Sequence, residues 1–191
     1  MFGVKKFEPW VGSDYGTSKA KLLVIGESRY DEDITDKQII EEQIGGSTHT
    51  NFIQSALLKR HWEEGYDPFL FLNKVVFYNY NTTFFPGEAR KKPTWDERTD
   101  PQNEKMLRNV LKKFKPTYCI VWGKENYDSI GVEGSSFSKE YKIPRLPFFH
   151  PYCSIVIDKH KTLFSYVNHP SSGYSFNKWS SVIAAFLVLK Y

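Results

Sequence analysis

A chain of 191 residues, 40% hydrophobic and 17% aromatic, suits one domain with a sizeable core better than two small ones. Its net charge of +4 and pI of about 8.9 are compatible with a polyanionic partner, and equally with an ordinary soluble protein. Its two cysteines, Cys119 and Cys153, form no Cys-x-x-Cys pair, which argues against a disulfide framework, a zinc ribbon or an iron–sulfur cluster.

Residues 1–20 mix glycine, proline and aromatics (Phe7, Pro9, Trp10, Tyr15) without periodicity, and read as a lead-in segment packed onto the domain. Met1 to Lys6 is short and polar, unlike a secretory signal. Leu22 to Ile25 is a continuous apolar run closed by Gly26, the pattern of a strand buried on both faces. Thr35-x-x-Gln38 is a capping-box pattern that starts a short helix through Ile44, ended by Gly45-Gly46. A second helix is expected from Asn51 to Trp62, with Phe52, Ala56 and Leu57 along one side. Asp67-Pro68 starts a brief helix through Leu72.

Val75 to Tyr80 reads as the second strand, running into Asn81 and Thr82. A long basic loop follows, punctuated by Pro86, Gly87, Arg90, Lys91, Lys92 and Pro93. Asp100-Pro101 caps an amphipathic helix with Met106, Leu107, Val110, Leu111 and Phe114 on one face. Pro116 precedes a third strand, Tyr118 to Trp122, ended by Gly123. Residues 124–150, rich in Gly, Ser and Pro, carry no assigned element. Ser154 to Asp158 and Thr162 to Val167 read as paired strands around Lys159-His160-Lys161, or as one strand after a loop. Phe176 to Leu189 is a last helix, and its apolar run from Val182 is too short to span a bilayer. Alternating strand and helix predicts a parallel sheet with helices on both faces. The two unpaired cysteines and the lack of a signal-like or membrane-spanning run make a reducing, cytoplasmic setting the expectation.

In such sheets ligands bind beyond the carboxyl ends of the strands. That edge would collect Glu27-Ser28-Arg29-Tyr30 after the first strand, Asn79 and Asn81 after the second, and His169-Pro170-Ser171 after the last. A carboxylate, an amide and an imidazole converging there make a candidate site. Gly26-x-Ser28 also suggests a hydrolase nucleophile elbow, but that turn needs a glycine where Tyr30 stands. The Asp-x-x-His that esterases with an early Gly-Asp-Ser block carry is missing too, because Tyr166 precedes His169 by three residues. A serine satisfying backbone groups at a strand-to-helix turn is the simpler reading of Ser28.

Taken together, the strand ending in Gly26-Glu27-Ser28 resembles the first motif of the uracil-DNA glycosylase superfamily, especially the branch beginning Gly-Glu-Ala-Pro-Gly. His169-Pro170-Ser171 resembles its second motif. Val75 to Asn81, the Pro/Gly/Arg loop with Pro93-Thr94, and the Lys115-Pro116 to Gly123 strand are similar to its middle segments, so the likeness runs over residues 20 to 190 in order. The resemblance implies a three-layer α/β/α sandwich around a mostly parallel four-stranded sheet. It also implies hydrolysis of the bond between a base and deoxyribose, without metal or cofactor, on a nucleotide turned out of the stack.

By position, the resemblance makes His169 the donor to the base O2, Asn79 the base reader with Asn81 as competitor, and Glu27 the residue that places or activates water. Phe52 becomes a candidate stacking platform and Tyr30 the pocket floor. Ser171, Ser172 and Tyr174 would approach the DNA backbone, with Tyr174 as a wedge. Arg90, Lys91 and Lys92, and the pair Lys59-Arg60, would meet phosphates. The implied partner is single- or double-stranded DNA with a damaged base, or a free nucleobase or nucleotide, bound by a monomer away from membranes.

The chain also departs from the pattern. Ser28 stands where the best-studied branch has an aspartate, Arg29 replaces a proline, and Tyr30 replaces the glycine of the glutamate-bearing branch. Two further readings therefore stand beside the glycosylase: a non-catalytic descendant that binds a base, nucleotide or nucleic acid in the same pocket, and an esterase acting through Ser28.

Overall fold

The computed structural model describes residues 9–17, 20–28, 40, 46–81, 92–130, 140–171 and 173–190. The helix expected over 35–44 lies outside them apart from Ile40, which is buried. Among the described residues seven strands form one sheet, in the order β1-β3-β2-β4-β7-β6-β5. They are β1 (Trp10–Val11), β2 (Leu22–Gly26), β3 (Val75–Asn79), β4 (Tyr118–Trp122), β5 (Tyr141–Lys142), β6 (Pro151–Ile157) and β7 (His160–Val167). β3, β2, β4 and β7 run parallel, and the other three strands extend the edges antiparallel.

The mixed α/β class expected from the alternation is present, in a sheet of seven strands and not four. One cause is the lead-in segment, which pairs Trp10 with Phe77 and donates from the Trp10 indole to the Leu72 carbonyl at 3.2 Å. The other is the hairpin β6–β7, the first of the two readings left open. Asp158 and Lys159 both take left-handed φ (49° and 65°), as a two-residue hairpin turn requires. His160 accordingly belongs to β7 and not to the turn.

β2, β3 and β4 are buried throughout because both faces are covered. Alternate residues feed two cores. Val24, Phe77, Trp122 and Val167 join Phe52 of helix α1 (Ser47–Leu57) and Trp179 of the C-terminal helix α6 (Phe176–Leu187). Ile25, Tyr78, Val121 and Phe164 join Leu107 and Leu111 of α4 (Pro101–Phe114) on the opposite face. Between these come α2 (Phe69–Leu72), α3 (Trp95–Arg98) and α5 (Lys124–Ser129).

α4 starts as expected, with Asp100 Oδ1 accepting from the Gln102 N–H at 2.8 Å and Pro101 in the first turn. α1 is displaced from the expected 51–62. Gly46 is its extended N-cap, and Leu58 ends it by turning left-handed (φ 56°). The Leu58 N–H then closes on the Gln54 and Ser55 carbonyls, which leaves Trp62 beyond the helix and exposed. α5 and β5 occupy part of the stretch for which no element was assigned. Among the described residues no helix is long and apolar enough to cross a membrane.

Candidate functional site

Register aligns the carboxyl ends of the parallel strands: Gly26 pairs with Asn79, Ile25 with Val121, and Trp122 with Val167. Glu27, Asn79, Trp122 and His169 therefore stand along one edge of the sheet. Gly26 makes this possible by close approach. A Cβ there would collide with Asn79 Oδ1 and lie 2.8 Å from Phe77 Cζ, so the buried Asn79 amide sits against the glycine. Gly26→Ala is expected to push Asn79 off the strand end and to destabilise the fold by about 1–3 kcal/mol, read by urea unfolding.

Asn81, the other candidate amide, is committed to structure. Its Nδ2 donates to the Glu27 carbonyl at 2.6 Å, its backbone N–H donates to the same oxygen at 3.0 Å, and its Oδ1 accepts from Asn103 of α4 at 3.4 Å. Buried Asn126 of α5 donates to the Gly26 carbonyl at 3.1 Å. The backbone carrying Glu27 is thus held by amides from α5 and from the extension of β3, the latter steadied by Asn103 of α4.

Arg98 holds the Glu27 side chain. Its guanidinium lies 2.8 Å from Glu27 Oε1 and 3.0 Å from Glu125 Oε2, with Arg98 only 5% exposed. The arginine ends α3, a four-residue helix whose start is a complete capping box: Thr94 accepts from the Glu97 N–H, and Glu97 accepts from the Thr94 N–H at 2.7 Å. The Asn103 amide donates to the Glu97 carbonyl at 2.8 Å and ties this turn to α4.

His169 sits edge-on to Trp122, ring centroids 5.9 Å apart. Its Nδ1 accepts from the Ser171 backbone N–H at 3.3 Å and lies 2.7 Å from the Ser171 hydroxyl. A nitrogen that accepts from a backbone N–H carries no proton, so the neutral ring bears its hydrogen on Nε2. Burial pushes the imidazole below its usual pKa, the Glu27 carboxylate pulls it back up, and the Lys92 ammonium pushes it down further. Both charges are therefore within electrostatic reach of the ring.

Neither a family model nor a curated protein matches this sequence.

Below the edge lies an aromatic floor. Trp122 touches Phe77, Phe52 and His49 at centroid distances of 5.1, 5.3 and 5.4 Å. Phe52 is 1% exposed and packs on Phe71 as well, so it is a core residue and offers no face to a ligand. The Ser28 hydroxyl is buried with no hydrogen-bond partner among the described residues, and the nucleophile–base contact of an esterase is absent there. Tyr174 turns inward, its ring 6.2 Å from Trp179 and its hydroxyl buried, and would have to leave that packing to act as a wedge.

Ser171 and Lys92 are exposed beside the site. Arg60 stacks on Phe176 at 3.7 Å. Tyr30, Arg90, Lys91 and Ser172 lie outside the described residues. Among the described residues no three His, Cys, Asp or Glu side chains gather as metal ligands would.

Two site residues escaped sequence reasoning. Arg98 follows a Thr94-x-x-Glu97 box that marks a helix start, but nothing local marks its partner. His49 reads as one polar residue in a helix. Burial, with the His169 ring as the lesser cause, pushes the His49 imidazole down to about 4. The unfolded ring takes up its proton near 6.5, before the folded one does, so stability is full above that pH and is lost as pH falls toward about 4. The expected loss is about 1.4 kcal/mol per pH unit inside that window. Urea unfolding at several pH values reads the slope, which His49→Phe should flatten.

Proposed function

We propose that the protein is a base-excision hydrolase of the uracil-DNA glycosylase type. On this reading it cleaves the N-glycosidic bond of a deaminated or damaged base turned out of DNA. The parallel strands β3-β2-β4-β7 are then the four-stranded sheet of that fold, with the remaining strands as additions. The observation that carries the reading is His169: its Nδ1 accepts from the Ser171 N–H, which leaves the ring hydrogen on Nε2, and it stands on the same sheet edge as Glu27 and Asn79, where ligands of such sheets bind.

Each residue then has a role. The His169 Nε2–H donates to a carbonyl oxygen of the base. As the C1′–N bond breaks with its electron pair on the base, that donor stabilises the growing negative charge. Asn79 reads the base edge with an amide that both donates and accepts. Water adds to C1′ and passes its proton to Glu27, whose Oε1 is held by Arg98 and whose Oε2 orients the water. Lys92 meets a flanking phosphate.

The test is alkali-dependent strand cleavage of oligonucleotides containing uracil or hypoxanthine, single- and double-stranded. Cleavage reduced by about 10²–10⁴ in Glu27→Gln is expected. Substrates left intact by the unaltered protein overturn the reading. The Arg98 clamp favours a second one, a base-binding protein without cleavage, because it occupies the carboxylate that the reaction needs. That version gives saturable binding, no alkali-labile sites, and unchanged affinity in Glu27→Gln.

A further inference from the structure

The sheet edge that carries His169 continues outward across β6 and β5, and two large rings face solvent there. β6 starts beside the end of β7: the Ser165 hydroxyl donates to the Pro151 carbonyl at 2.9 Å, and the His150 ring donates from Nε2 to the Tyr166 carbonyl at 2.9 Å. Phe149, just before this junction, is 68% exposed, although its neighbours Phe148 and His150 are half-buried and buried. Tyr141 of β5 is 51% exposed and pairs with Tyr152 of β6, ring centroids 5.7 Å apart. The Ile143 N–H donates to the His150 carbonyl at 2.9 Å, which laces the two segments together. Single exposed rings are common, but neighbouring ones on one edge point to a partner.

The chemistry beside the rings is cationic. Lys178, exposed in the first turn of α6, places its Nζ 5.6 Å from the Phe148 ring centroid and 4.6 Å from that of Trp179. Among the described residues no carboxylate pairs with it. Arg145 is exposed in the turn between β5 and β6. The acid next to Tyr141, Glu140, lies toward the opposite face of the sheet, where its charge reaches Tyr127 and Cys153. Tyr141, Tyr152 and Phe148 belong to the face of α6 and Lys178.

We propose that Tyr141, Phe149 and Lys178 form a stacking platform for the unpaired bases of single-stranded DNA, next to the nucleotide held at His169. The proposal rests on the glycosylase reading for its occupant and adds the strand state, which that reading leaves open. β5 lies two strand spacings from β7, about 10 Å, so the platform takes the nucleotides that flank the site. In a duplex the base faces cover one another, and exposed protein rings meet only backbone and groove edges. An unpaired base offers its face to a ring whatever its identity, and the phosphate beside it meets the ammonium.

The experiment measures fluorescence anisotropy of a labelled oligothymidylate, and of the same strand in a duplex, with the full chain. Neither carries uracil or hypoxanthine, so binding is read apart from excision. Tighter binding of the single strand is expected, weakened about five- to hundredfold in Phe149→Ala and in Tyr141→Ala and retained in Phe149→Trp. Lys178→Ala should lower the slope of log affinity against log salt by about 0.7. A duplex bound as tightly as the single strand overturns the proposal, as do alanine variants that bind like the unaltered protein. Sedimentation showing a dimer that Phe149→Ala dissociates overturns it too, because a second copy then covers the rings. Excision of uracil with oligothymidylate affinity indifferent to all three residues sinks the platform and spares the glycosylase reading. Single-strand binding that depends on the rings, with uracil left in place, supports the platform and counts against catalysis alone.

Discussion

His169→Leu is expected to keep the fold and to lose about 10²–10³ in the rate of base release, the usual effect of removing one preorganised donor to a developing oxyanion. The imidazole is only partly buried and packs edge-on to Trp122, so leucine fills the space at little cost in stability. The Nε2 proton is what disappears. Single-turnover cleavage of a uracil-containing strand measures the loss, and unfolding by urea confirms that the variant is folded.

Ser171→Ala refines the test. It removes the hydroxyl 2.7 Å from Nδ1 but keeps the backbone N–H that donates to Nδ1, so the tautomer survives and the rate should fall less than tenfold. A His169→Leu rate within threefold of the unaltered protein would sink the assignment of His169 as the donor.

What could be read without coordinates follows a physical division. β2, β3 and β4 were legible because a strand buried on both faces is an uninterrupted apolar run, and Asp100-Pro101 announced α4 because capping is local chemistry. Glu27, Asn79 and His169 were legible as a group because the carboxyl ends of parallel strands share an edge whatever the loops do. α1 was misplaced because Gly46 reads as a stop while serving as an N-cap, and because the terminator, Leu58, is a left-handed residue that no pattern marks. β1 and β5, two residues each, exist only through their partners. Asn79 and Asn81 look alike along the chain. Only the third dimension shows one against Gly26 and the other committed to the Glu27 carbonyl and Asn103. Arg98 and His49 had no signal at all, since a pairing across 71 residues and a missing hydrogen bond are both properties of the fold.

Arg98→Met carries the largest expected effect on stability. Removing one member of a buried ion pair strands the other, at a typical cost of about 3–5 kcal/mol. Here the stranded group is Glu27, whose side chain is 15% exposed, while Glu125 at 61% reaches water and adds little. Methionine keeps the aliphatic stem packed, so the loss reports the charge and not a cavity. Combining Arg98→Met with Glu27→Gln removes the uncompensated carboxylate and should recover most of the stability, and the double-mutant cycle isolates the coupling. A single variant that unfolds within about 1 kcal/mol of the unaltered protein would show the guanidinium to be dispensable to the fold. The same variants decide what the clamp does for chemistry. If Arg98 orients Glu27 toward water, Arg98→Met loses cleavage along with stability. If the clamp withholds the carboxylate, freeing it raises the rate in whatever fraction remains folded, and the direction of that change separates a catalyst with a positioned base from a binding protein with a neutralised one.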